Sequence, residues 1–246
     1  MFSNNDNNAI NTAQEKVLTL SCSNVQEYVE KILEFSKSKE KISVYRGVPD
    51  SSYQLIPSVG RNNYSEELEK QFFLQFKRQY HLYTNIRVQN DMDVLFLAQH
   101  YGLPTRLLDW SYNPLVALFF ACYNDNEDEI EKNDGRVYIY HLNRIIDCSS
   151  NSSSIMLQSF DEIMSQKEDI FLIPDCTDER YRNQRALFSL CGNPSKELDL
   201  NCISIFINKE KKKKIIEDLA LLGCDRAFIY PLLDSLCRDI KNLIIK

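Results

Sequence analysis

The chain has 246 residues, with 35 acidic against 29 basic side chains and a net charge of −6. That length supports one large domain or two small ones with a substantial core. The acidic balance excludes a general phosphate-backbone binder, which needs a basic footprint. There is no apolar run of about eighteen residues and no basic segment leading a short apolar stretch, so neither a membrane span nor a signal peptide is expected.

Residues 1–21 open with the Asn-rich FSNNDNNAIN and read as a flexible tail. Ser23 to Gln26 carries a capping-box signal, and Val25, Tyr28, Val29, Ile32 and Phe35 recur at helical spacing behind it. Ile42 to Arg46 alternates and reads as a strand, with Arg46 on the face of Ile42 and Val44. A guanidinium there is costly to desolvate unless its donors are met. Residues 52–61 read as a short strand and loop. Asn63 with Glu66 is expected to cap a long helix whose stripe Leu68, Phe72, Phe76, Tyr80 and Tyr83 is core.

The stretch Phe96 to Cys122, FLAQHYGLPTRLLDWSYNPLVALFFAC, organises the rest. Gly102 and Pro104 stop an apolar helix, because Gly accepts a left-handed C-terminal cap and Pro cannot continue the coil. Thr105, Arg106, Asp109, Trp110 and Ser111 follow as a polar loop holding the chain's one Trp. Asn113 then offers a cap, Pro114 fits the first helical position, and Leu115 to Cys122 form a helix apolar on every side, hence buried.

Beyond it lie an acidic linker (124–134), a strand over 136–141, and the connector SSNSSS at 149–154, read as a loop within one domain. A helix over 161–167 and strands over 170–173, 186–190 and 203–207 come next, the last rich in β-branched residues. A helix over 209–222 ends at Gly223, and its lysines 211–214 read as a solvated face. The final helix is expected to turn Leu232, Leu233, Leu236, Ile240 and Leu243 inward. The fold class is therefore α+β: a single domain with a mixed or antiparallel sheet and packed helices.

The run AQHYGLPTRLLDWSYNPLVALFFA resembles the signature of the FRG domain, and Tyr45-Arg46-Gly47 is similar to its aromatic-Arg-Gly tripeptide. SYQLIPS (52–58), RNQRALF (182–188) and the IYPLLDSLCRDIK ending extend the resemblance, making residues 22–246 an FRG-like domain. More distantly, the order of strand Arg, Ser before a buried helix, and a late polar position resembles ADP-ribosyltransferases of the Arg-Ser-Glu kind. That resemblance implies NAD as ligand, with Arg46, Asp109, Ser111 and Gln184 as catalytic candidates. It assigns Tyr45, Gly47, His100, Thr105, Arg106 and Trp110 to binding, with Trp110 or Tyr45 stacking on a ring and Gly47 leaving the backbone open to approach. Where those enzymes carry a late-strand Glu, this chain offers Gln184, and an amide cannot supply the negative charge.

The chain has no GxSxG elbow, Gly-rich phosphate loop or HExxH. Its eight cysteines include no CxxC pair and none beside a histidine, so no metal or disulfide framework is expected and a reducing cytoplasm is the expected location. Three readings of the polar cluster stay open: NAD-dependent glycosyl or ADP-ribosyl transfer, a non-catalytic nucleotide-sensing or protein-interaction module, and a buried structural network. Arg46, Arg106, Asp109 and Ser111 are expected to converge on one concavity.

Overall fold

The structure is a computed structural model that describes residues 19–36, 41–148, 159–175 and 179–244. Most of the N-terminal tail, the SSNSSS connector and the Leu243 side chain lie outside the described parts. The first half runs β1 (Thr19–Cys22), α1 (Val25–Phe35), β2 (Ile42–Val48), α2 (Ser58–Arg61), α3 (Glu66–Gln79), α4 (Asp91–His100), β3 (Leu107–Ser111) and α5 (Pro114–Cys122). The second runs β4 (Gly135–Leu142), β5 (Ile146–Asp147), α6 (Phe160–Ser165), β6 (Ile170–Ile173), α7 (Glu179–Gln184), β7 (Ala186–Leu190), β8 (Ile203–Ile207), α8 (Lys212–Leu221), α9 (Arg226–Ile229) and α10 (Leu233–Ile244).

The strands form one mixed eight-stranded sheet in the order β1-β8-β4-β2-β3-β7-β6-β5. β1 with β8 and β5 with β6 run parallel; the central pairs are antiparallel. The expected α+β single domain is thus the observed architecture. Thr19–Ser21, read as the end of the tail, form with Cys22 an edge strand on β8.

Alternation along the strands sorts side chains between two faces. On one face Tyr45, Val137 and Ile139 pack under α1, α5 and α8, while Leu107, Phe188 and Leu190 pack under α3, α4 and α6. Val44, Val48, Leu108, Trp110 and Tyr138 occupy the other face, covered by loop residues such as Leu55 and Leu198.

α5 sits closer to the sheet than side chains allow. A Cβ on Gly47 would lie 1.8 Å from the Ala117 carbonyl oxygen, and one on Gly135 would lie 2.1 Å from that of Ala121. Gly47 therefore serves helix packing, which corrects its assignment to ligand approach. At the start of α5, Asn113 accepts from the Leu115 N–H and Pro114 takes the first position, as the sequence indicates. At the other end of the stretch, Gly102 closes α4 with φ +82°.

Four local expectations are corrected. α3 is capped by Ser65, not Asn63, and turns Glu69 and Phe73 inward, leaving Leu68 and Tyr83 exposed. The reason is a buried arginine that draws Glu69 in, described below. α10 leaves Leu232, Leu233, Leu236 and Ile240 exposed, because it meets the body through Ser235. In the lysine run, Lys212 is buried and donates to the Pro49 carbonyl at 2.6 Å. Residues 52–57 form turns and loop, not a strand.

The α5 contact makes a direct prediction. Gly47→Ala should destabilise the protein by at least about 2 kcal/mol, the scale of overpacking against a backbone that cannot yield. Gly102→Ala, which meets open space, should cost only about 1 kcal/mol for its left-handed backbone. Urea unfolding of the two variants beside wild type measures the difference.

Candidate functional site

The residues expected in a loop, Leu107–Ser111, are strand β3, and the alternation explains why. Leu108 and Trp110 enter the core on one face, while Asp109 and Ser111 fall on the other with Leu107. β3 meets β2 at the single paired position Tyr45–Ser111. Beyond it the strands part, and the Arg46 guanidinium fills the opening. Its Nη1 donates to the Asp109 backbone carbonyl at 2.6 Å and lies 3.7 Å from the Asp109 carboxylate.

Arg46 is underbonded. Its side chain is 13% exposed, and its buried Nε has no partner. Burial lowers its pKa, with nearby Arg61 acting in the same direction and Asp109 opposing. Such a guanidinium is set to accept an anion, because each added acceptor relieves desolvation already incurred.

Asp109 is 56% exposed, between the part of the sheet covered by α4 and the part covered by α5. Its Oδ2 accepts from Gln99 Nε2 at 2.8 Å. Thr105 Oγ1 donates to Gln99 Oε1 at 2.6 Å and accepts from the Leu107 N–H. Ser58 Oγ accepts in turn from the Thr105 N–H. This relay fixes one carboxylate oxygen; the other has no hydrogen-bond partner among the described residues. Thr105 is thus a positioning residue, and Gln99 belongs to the site although the sequence reading did not single it out.

The remaining candidates are placed elsewhere. Arg106 is 1% exposed and forms a bidentate pair with Glu69, Nε to Oε1 at 2.8 Å and Nη2 to Oε2 at 2.7 Å. A rigid fork matched to a carboxylate is the arrangement that makes such burial tolerable. Ser111 is buried, and its hydroxyl donates to the Gln184 carbonyl at 2.6 Å. Gln184 sits on α7, not on a strand, and its amide donates to the Ile229 carbonyl. Trp110 is buried with its Nε1–H on Ser189, and Tyr45 is buried with its hydroxyl on Ser36, so neither offers a ring to a ligand. Of the four residues expected to converge, Arg46 and Asp109 lie together, while Arg106 and Ser111 are buried against other partners.

His100, in the last turn of α4, packs edge-on against Tyr181. Arg180 donates to the His100 carbonyl and lies 4.7 Å over the Tyr230 ring. Burial pushes the Tyr230 phenol up, and Asp125 and Asp109 push the same way, which places Tyr230 within electrostatic reach of the site. Cys191, within reach of both Arg46 and Arg106, is nonetheless pushed up to about 12 by burial and then by Asp169, so it is no thiolate nucleophile at neutral pH. Among the described residues no His, Cys, Asp and Glu cluster could hold a metal.

Two concavities lie away from Arg46 and Asp109. One of about 300 Å³ is lined by Tyr112, Tyr181, Arg182 and Arg185, and one of about 370 Å³ by Phe72, Phe76, Tyr80, Tyr83 and Tyr101. Neither is lined by Arg46 or Asp109, whose exposed carboxylate lies at the surface beside the point where β2 and β3 part.

The family model of the FRG domain matches residues 41–130, the span from β2 through α5, so the chain carries an FRG domain. That span contains Arg46, Gln99, Thr105 and Asp109. Comparison with curated proteins and with solved structures gives no match. No helix among the described residues is long and apolar enough to cross a membrane.

The two ion pairs separate structural from functional charge. Glu69→Gln should lower stability by about 3–5 kcal/mol, since it strands a buried guanidinium. Asp109→Asn should cost under about 1 kcal/mol, because its carboxylate is largely exposed and Arg46 keeps the Asp109 carbonyl. Thermal denaturation of both variants checks the contrast.

Proposed function

We propose that the Arg46–Asp109 site, where β2 and β3 part, binds NAD or a related nucleotide, and that Asp109 makes it competent to cleave the bond between ribose and base. The observation that carries this reading is the juxtaposition of an underbonded Arg46 with a carboxylate that has one oxygen anchored and one free. The anionic half of such a ligand fits the residues present. Arg46 carries one unpartnered donor, Nε, with Arg61 as a second cation nearby, the charge a diphosphate requires. The ring-stacking half does not fit as the sequence suggested, because Tyr45 and Trp110 are buried.

Cleavage of a nicotinamide–ribose bond develops positive charge on the ribose as neutral nicotinamide leaves. A fixed carboxylate stabilises that charge without reorganising. The relay Ser58–Thr105–Gln99 holds Asp109 for this role, and Gln184, tied to Ile229, takes no part. Water or an acceptor then takes the ribosyl carbon.

A second reading, binding without turnover, is favoured by a separate observation. Ser111, which was expected to shape the reactive end of the ligand, is consumed by a bond to the Gln184 carbonyl.

Calorimetric titration with NAD, paired with chromatographic detection of nicotinamide, tests both. Arg46→Ala should weaken binding about tenfold or more, the scale of a lost charged hydrogen bond. Asp109→Asn should keep binding within a few-fold and cut nicotinamide release about 100-fold. Binding with no release by wild type selects the sensing reading, and no binding at all overturns both.

A further inference from the structure

The last helix presents a surface that the Arg46–Asp109 site does not use. α10 meets the body through one side: Ser235 is fully buried and accepts from Arg226 Nε at 3.3 Å. The opposite side exposes Leu233 by 76%, Leu236 by 47%, Ile240 by 46% and Ile244 by 74%, with Leu232 beside them at 62%. These positions follow one another at intervals of three, four and four residues, on a single narrow line along the helix. A line of that width is the seam of a helix packed against one other helix, narrower than the stripe of a helix lying on a core. A contiguous apolar patch of this kind on a chain with charged residues at 26% marks an interface.

We infer that α10 pairs with α10 of a second copy across a two-fold axis. A seam of Leu and Ile is its own complement, so one set of residues closes the contact on both copies and leaves no apolar edge for a third. Five aliphatic side chains from each copy supply buried area on the order of 1,000 Å² in total, the threshold for a specific interface. A lipid surface fits less well. Helices that lie in a membrane interface carry Lys- and Arg-rich polar faces and aromatic anchors. Residues 233–244 hold two acidic and two basic residues and no aromatic, on a chain of net charge −6 that anionic headgroups repel.

Light scattering coupled to size exclusion, run on the whole chain over a range of micromolar concentrations, is the test. Wild type should have twice the mass of the chain. The Leu236→Asp/Ile240→Asp variant should have the mass of one chain with an unchanged circular dichroism spectrum. Leu82→Asp, at a more exposed leucine in a different region, should stay dimeric. Leu233→Ser gives the same readout with a milder change, and should weaken the dimer should the double variant fail to fold. A monomeric wild type throughout overturns the proposal, as does a dimer indifferent to Leu233, Leu236 and Ile240. So does a monomer that sediments with phosphatidylserine vesicles through the same seam.

Discussion

Everything at the candidate site depends on how closely α5 approaches the sheet. Ala117 and Ala121 rest on Gly47 and Gly135, backbone against backbone, with no room for a Cβ between them. That contact fixes the start of α5, which Asn113 caps directly after the end of β3. Tyr28 adds a bond from α1 to the Pro114 carbonyl at 2.8 Å. β3 is thereby held to β2 at Tyr45–Ser111 and free to diverge before it. Arg46 bridges the divergence. A side chain at position 47 would lift α5, shift β3, and move Asp109 relative to Arg46.

Arg106 and Arg46 show opposite solutions to one problem. Arg106 is paid in full by Glu69 through two short bonds and has no chemistry left to offer. Arg46 is met by one carbonyl and a carboxylate at the edge of hydrogen-bonding reach, with Nε unpartnered. Buried polar groups are nearly always satisfied, so an exception of this kind is either a strain reservoir or a binding site. Its position, where β2 and β3 part beside an anchored carboxylate, favours the second.

Much of this was legible in the sequence because the signals were local. Gly102, Asn113 and Pro114 state the helix ends directly, and Ile203–Ile207 states a strand. The pairing of Arg46 with Asp109 was also readable, since a strand arginine facing an apolar side needs a partner. What escaped depended on distance or on choice of neighbour. Glu69 and Arg106 are far apart in sequence, and nothing near either one announces the pair. That pair in turn rotated α3 away from its aromatic stripe. The polar residues of 105–111 suggested a loop, although Asp109 and Ser111 alternate with Leu108 and Trp110 as a strand with two different faces requires. Periodicity identified α10 as amphipathic but could not say that its apolar side faces outward, because that depends on which surface Ser235 meets.

The central claim is that the unpartnered Nε of Arg46 awaits a ligand while the paired Nε of Arg106 does not. Nitrogen-15 NMR of the arginine side chains during titration with NAD tests it most directly. The account predicts that the Arg46 Nε–H resonance shifts and broadens saturably while the Arg106 Nε–H resonance stays fixed. An unmoved Arg46 signal at saturating nucleotide, or a change confined to Arg106, would contradict it.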